Sequence, residues 1–261
     1  MDNSPPAGAA QMGFASSQSK SGKAVLLVLL MLANAFGYVD RQILTVLAIP
    51  ISHDLGLTNV QIGMMSGLAF ALFYAICGIP LAWLADRTNR VWVLAGSIAV
   101  WSAMTSLCGA ASSFWTLFAA RVGVGIGEAG CTPPAHSLIS DTISPSRRAS
   151  ALAVYNLGLP LGSFAGLALG GWLAQTLGWK TAFVIVGLPG CLLAAVIALL
   201  LRDPRHGGGQ ADGEQAPSFG TVLKQLRKRR AYWHLMVQTV WKRVKYAMMR
   251  RQSGGSNGSL H

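Results

Sequence analysis

The sequence predicts an all-α membrane protein built as a six-transmembrane-helix bundle, and three observations carry this. Apolar residues make up 52% of the chain and charged residues only 11%, where a soluble domain carries about 25% charged residues. The mean hydropathy is +0.45, with the charge deficit spread along most of the chain. The apolar residues fall into six runs, at 24–51, 60–84, 91–111, 114–139, 150–174 and 180–201. Each is near the roughly 20 residues that a helix needs to cross a bilayer core.

Taken in order, residues 1–20 are rich in Ser, Gly, Ala and Pro, and are expected to form a disordered N-terminus. The first apolar run is too long for a signal-peptide core, and no small-residue cleavage site closes it, so no cleavable signal peptide is expected. The bundle itself is predicted over 21–201. Its connections alternate in charge. Lys20 and Lys23 precede the first span, and residues 53–59 after it contain no Lys or Arg. Arg87 and Arg90 follow the second span, whereas 111–113 after the third is uncharged. Arg147 and Arg148 follow the fourth, Lys180 alone follows the fifth, and Arg202 and Arg205 follow the sixth. Basic loops stay on the cytoplasmic side. Both termini are therefore expected in the cytoplasm, with the protein in the plasma (inner) membrane.

After Leu201 the character changes. Residues 202–218 are rich in Gly, Asp, Glu, Pro and Gln and are expected to form a cytoplasmic linker. Residues 219–261 are basic with interleaved aromatics. Trp233, Val237, Val240, Trp241, Val244 and Met248 recur at helical spacing beside Lys242, Arg243 and Lys245. Such an amphipathic tail suits an anionic membrane surface. The formal net charge of +12 is thus topogenic charge plus a basic end, and no nucleic acid is expected as a partner.

Cys77, Cys108, Cys131 and Cys191 all lie in or beside apolar runs without a C-x-x-C pair, as small buried hydrophobes do. No disulfide framework, metal site or cofactor is expected. No nucleophile–base pair appears in a credible context, so no enzymatic activity is expected.

Glycine recurs in the spans. Gly158, Gly162, Gly166 and Gly170 are spaced four apart, which makes one helix face a groove for a second backbone. Gly125, Gly127 and Gly130 fit the dinucleotide pattern G-x-G-x-x-G. That pattern requires a strand and a βαβ unit, and it lies here in a membrane-length run, so nucleotide binding is rejected. Pro133 and Pro134, just after Glu128, are expected to kink the fourth span.

Four charges interrupt the apolar runs: Asp40 and Arg41 in the first, Arg121 and Glu128 in the fourth. A charge at bilayer depth costs at least a few kcal/mol, so it persists where it faces a polar cavity or a partner. Asp40 is 17 residues beyond Lys23, roughly 25 Å along a helix, which places it in the outer half of the membrane. Arg121 and Glu128, seven residues apart, share a face about 10 Å apart along the axis. The two couples are expected to meet across a cavity between the first and fourth spans. A carboxylate beside an arginine keeps its charge, and takes up a proton when the arginine leaves to hold an anion. The alternative is a static ion pair that sets helix register. Asp86, Arg87 and Arg90 follow the second span. They form either an ordinary basic loop or a cytoplasmic clasp, in which Asp86 pairs with an arginine or a helix N-terminus.

The segment Ala82-Trp-Leu-Ala-Asp86-Arg87-Thr-Asn-Arg90 resembles the G-x-x-x-D-R-x-x-R loop motif of the major facilitator superfamily, with Ala82 in place of the first glycine. Arg121-Val-Gly-Val-Gly125 resembles that superfamily's fourth-span motif. Tyr38-Val-Asp40-Arg41-Gln42 and Arg121 through Glu128-Ala resemble the spinster-like branch. The resemblance implies proton-coupled transport of lipid-like or other amphipathic anionic solutes, such as lysophospholipids and sphingosine phosphates. It implies proton-coupling roles for Asp40 and Glu128. Arg41 and Arg121 would hold the solute's anionic group or modulate those carboxylates, and Asp86, Arg87 and Arg90 would form a cytoplasmic gating motif. The superfamily fold has two six-helix halves with the substrate between them. This chain corresponds to the N-terminal half. It is therefore expected to be a truncated, non-transporting fragment or a half-unit that pairs with a partner, as in a homodimer. The expected partners are the solute, protons and the lipid bilayer.

Overall fold

The computed structural model describes residues 20–207. The tail predicted at 219–261, and all of the linker beyond residue 207, lie outside the described residues. Helices α1 (Lys20–Leu55), α2 (Asn59–Gly63), α3 (Phe70–Arg87), α4 (Arg90–Cys108) and α5 (Phe114–Ala129) follow one another. Then come α6 (Thr132–Thr142), α7 (Arg148–Asn156), α8 (Gly158–Thr176), α9 (Gly178–Leu200) and a short α10 (Pro204–Gly207). A π-helical stretch, Met64–Ala69, joins α2 to α3.

Local chemistry starts the helices where they start. Thr58 caps α2 in a reciprocal capping box with Gln61. The Asn89 side chain accepts the Val91 and Trp92 amides at the head of α4. Ser113 and Thr116 form a second capping box on α5. Gly56 and Gly178 turn the chain with φ of 62° and 78°, a region that only glycine enters without steric cost.

Among the described residues, five segments are long and apolar enough to cross a membrane: Ser21–Leu55, Asn59–Arg87, Arg90–Cys108, Pro145–Thr176 and Gly178–Leu200. The run expected as the fourth span, 114–139, is broken into α5 and α6, of 16 and 11 residues. Sequence alone suggested a kink here, but the structure has a full break. Pro133 and Pro134 lack the amides that would bond the carbonyls four residues back. The chain instead tightens, with Gly130 donating to the Gly127 carbonyl and Cys131 to the Glu128 carbonyl, both at 3.2 Å. Together α5 and α6 still run the length of α4. Ser113 lies just past the end of α4, and Asp141 of α6 bonds Arg90 at its start.

In the bundle α1 packs on α8, α7 and α9, α4 on α9 and α5, and α3 on α5. The glycines of α8 explain its close approach to α1. Gly158, Gly162 and Gly166 all face α1, and a methyl at Gly158 would lie 2.6 Å from the Met31 carbonyl oxygen. The glycine face is a packing surface of the kind small residues make between membrane helices. Gly127 is likewise pressed against Trp101 and Ser97 of α4, so its place in the G-x-G-x-x-G pattern is accounted for by packing.

Buried apolar side chains form two clusters stacked along the bundle. One holds Leu26, Leu30, Leu94, Ile98, Leu138 and Ile197. The other holds Ile43, Leu47, Leu117, Trp179 and Phe183. The outer surface is apolar too, with Phe164, Leu192 and Leu199 each more than 70% exposed. A soluble domain does not cover its surface this way, whereas a surface that faces lipid does.

Candidate functional site

The polar centre lies at the seam between the two clusters. On α1 the buried positions 26, 30, 33, 43, 47 and 51 form one helical stripe, and Asp40 falls in it. On α5 the stripe Leu117, Ala120, Val124 likewise includes Arg121 and Glu128. The helix period therefore turns these charges inward.

They pair across the helices. Arg121 donates through Nη1 to Asp40 Oδ2 at 2.9 Å. Arg41 donates to Glu128 Oε2 from Nε at 2.8 Å and from Nη2 at 2.6 Å. Adjacent residues on a helix project about 100° apart, so Asp40 and Arg41 reach different partners. The two acids and two bases compensate one another, as buried charges must. The pairs differ in access, however. Asp40 and Arg121 are 1% and 2% exposed, while the Arg41 side chain is 36% exposed. Thr105 of α4 donates to the second oxygen of Asp40, at 2.5 Å. Both Asp40 oxygens are thus engaged. Glu128 uses only one oxygen for Arg41, and Oε1 accepts no hydrogen bond among the described residues.

Arg41 and Glu128 line a small open cavity of about 40 Å³, together with Asn34, Tyr38, Trp101 and Tyr155. That space admits a few waters. The Arg41 guanidinium lies 4.9–5.5 Å from the ring centres of Phe70, Tyr38 and Tyr74. The surface beside the cation is therefore aromatic, and each ring face adds attraction to the charge.

A second network closes the basic end of the bundle. Arg90 is fully buried. It donates to Asp141 Oδ2 at 2.7 Å and Ser137 Oγ at 2.8 Å, and its backbone amide donates to Asp203 Oδ2 at 2.8 Å. Arg205 adds a 3.4 Å contact to Asp141. This ties the start of α4 to the end of α6 and the end of α9. Asp86, read either as part of an ordinary basic loop or as a clasp, is exposed and forms no ion pair with Arg90 among the described residues. Arg87 lies over the Trp83 ring at 4.5 Å. At the opposite end Trp179 Nε1 donates to Asp54 at 3.0 Å, with Lys180 3.9 Å away.

The structure thus brings Asp40, Arg41, Arg121 and Glu128 together, and keeps Asp86, Arg87 and Arg90 at one end. Sequence reasoning missed Thr105, the aromatic surround of Arg41, Asp141 and Asp203. One signal for Thr105 was available: Ser102, Thr105 and Ser106 place hydroxyls within about one turn of an otherwise apolar span.

The comparisons with known proteins fit this geometry. The family model of the Major Facilitator Superfamily matches residues 30–242. The chain belongs to this superfamily. It is 46% identical to an MFS-type efflux pump of Mycolicibacterium smegmatis over 66% of this chain and 40% of that protein. It is 32% identical to a probable galactarate/D-glucarate transporter of Bacillus subtilis, over 69% of this chain and 41% of the other. Among solved structures it resembles a bacterial homologue of the human lysosomal transporter Spinster, in an inward-facing, unoccupied conformation. That match has a TM-score of 0.70 and 36% identity, covering 84% of this chain and 52% of that one. The chain is a spinster-like member spanning about half the length of the relatives it matches, and corresponds to the N-terminal half of the superfamily fold. It is an integral membrane protein.

Proposed function

We propose that this chain supplies one wall of a proton-coupled secondary transporter for an amphipathic anionic solute. The observation that carries the reading is the exchangeable pair Arg41–Glu128 at the cavity, beside the sequestered pair Asp40–Arg121. An arriving anion competes with Glu128 for the Arg41 fork, whose planar donors suit carboxylate or phosphate. Glu128, released, takes a proton on its open oxygen, which keeps the buried site neutral. Departure of the solute reverses both steps, so solute and proton move together. Asp40 is the second proton site. Arg121 acts through Asp40, because it is buried beneath the cavity. The rings around Arg41 and the apolar flank of Leu30, Leu94 and Trp101 support an amphipathic solute. The sugar-acid relative supports an anionic one.

The basic loops support an orientation with both termini in the cytoplasm of a plasma membrane. The Arg90–Asp141–Asp203 network then lies at the cytoplasmic mouth, where its opening would accompany the inward-facing state. Arg87 and Asp86 flank that mouth.

Uptake into proteoliposomes under an imposed proton gradient tests the reading, with a lysophospholipid and glucarate as separate probes. Gradient-driven uptake of the lysophospholipid is expected, and its loss in Glu128→Gln and Asp40→Asn. Variants that transport like the parent overturn the coupling roles. Uptake of glucarate alone overturns the amphipathic assignment.

A further inference from the structure

A cleft of about 430 Å³ opens at the basic end of the bundle, between the start of α1 and the start of α7, and shares no lining residue with the Arg41 cavity. Lys23 and Arg147 supply its charge, and no acidic side chain lines it. Neither cation makes a hydrogen bond or ion pair with another described residue, in contrast to Arg90, Arg121 and Arg41. The Ser150 hydroxyl lies in the same cleft. No side chain caps the first turn of α7, which begins at its rim. Positive charge, a hydroxyl and the head of a helix thus converge without an anion of the protein's own.

The other side of the cleft is apolar. Ala24, Leu27 and Val154 form it, and Val25 and Val28 beside them on α1 are exposed. The cleft therefore joins a cationic pocket at the basic end of the bundle to a greasy flank that runs along the span. Basic pockets between membrane helices take anionic headgroups.

We propose that this cleft is a binding site for an anionic phospholipid. Its phosphate lies between Lys23 and Arg147, and an acyl chain follows Leu27 and the exposed valines of α1. The site binds lipid as a lodged component of the fold, whether or not the Arg41 cavity carries solute.

The test is native mass spectrometry of the full chain, released from mixed micelles of phosphatidylglycerol or phosphatidylcholine with matched acyl chains. The parent is expected to retain phosphatidylglycerol in preference. Lys23→Gln/Arg147→Gln is expected to lower that retention at least tenfold, to the phosphatidylcholine level. Arg202→Gln, which removes one charge at the same end outside the cleft, is expected to retain it. Leu27→Trp fills the apolar side without touching a charge and is expected to weaken retention too. The same elution volume for each variant establishes that it is folded. Undiminished retention in the double variant overturns the site. Equal loss in Arg202→Gln assigns the effect to general surface charge and overturns it as well. Displacement of the lipid by inorganic phosphate at comparable concentration overturns the lipid assignment in favour of a free anion.

Discussion

Replacing Arg121 with Met removes the cation but keeps most of the side-chain volume. Asp40 is then left 1% exposed with the Thr105 hydroxyl as its remaining hydrogen-bond partner among the described residues. Breaking one side of a buried pair leaves an uncompensated charge and costs about 3–5 kcal/mol. For a domain of this size each kcal/mol shifts Tm by about 2–4 °C, so Arg121→Met is expected to lose roughly 6–20 °C. Removing both charges, in Asp40→Leu/Arg121→Met, is expected to restore most of that loss, because apolar replacements of a buried pair are often neutral or stabilising. Tryptophan fluorescence during thermal unfolding in detergent reads both effects. A Tm for Arg121→Met within about 2 °C of the parent, or a double variant no more stable than the single one, would refute the reasoning.

Three further outcomes follow from the geometry. Gly162→Val places side-chain atoms against the backbone of Ala35 and is expected to abolish monodisperse elution in detergent, whereas Gly171→Ala, which meets nothing within 4 Å, is expected to elute like the parent. Thr105→Val removes one hydrogen bond to a buried carboxylate, worth about 1.5–3 kcal/mol, and is expected to lower Tm; Thr105→Ser, which keeps the hydroxyl, is expected to restore most of it. Arg90→Met leaves Asp141 and Ser137 without their shared donor and is expected to speed proteolysis at the 143–148 turn, compared with Arg202→Gln, in limited trypsin digests.

How much of this was legible in the sequence depends on which interactions are local. Span positions follow from apolar length, a property of one segment, and five of the six expected runs are single long apolar segments. The inward placement of Asp40, Arg121 and Glu128 follows from helical period within one element. Partner choice does not. The pairs written along the chain are Asp40 with Arg41 and Arg121 with Glu128, yet the bonded pairs are Asp40–Arg121 and Arg41–Glu128, which depends on how α1 and α5 face each other. Pro133 and Pro134 showed that the fourth span would bend. Whether it would kink or break depended on whether another turn could satisfy the chain, and the Gly130 and Cys131 bonds do so. Asp141 and Asp203 lie far from Arg90 along the chain, so their bonds to it, beside an exposed Asp86, depend on tertiary packing.

In the proposed cycle Arg41 pairs with Glu128, and Glu128 takes a proton when Arg41 leaves it for the solute. Infrared difference spectroscopy of the detergent-purified chain at neutral pH tests this directly without a known solute, by comparing the parent with Arg41→Gln and with Arg41→Gln/Glu128→Gln. A protonated carboxyl band is expected to appear in Arg41→Gln and to vanish in the double variant. An Arg41→Gln spectrum with Glu128 still ionised, or the same band persisting in the double variant, would rule out that exchange.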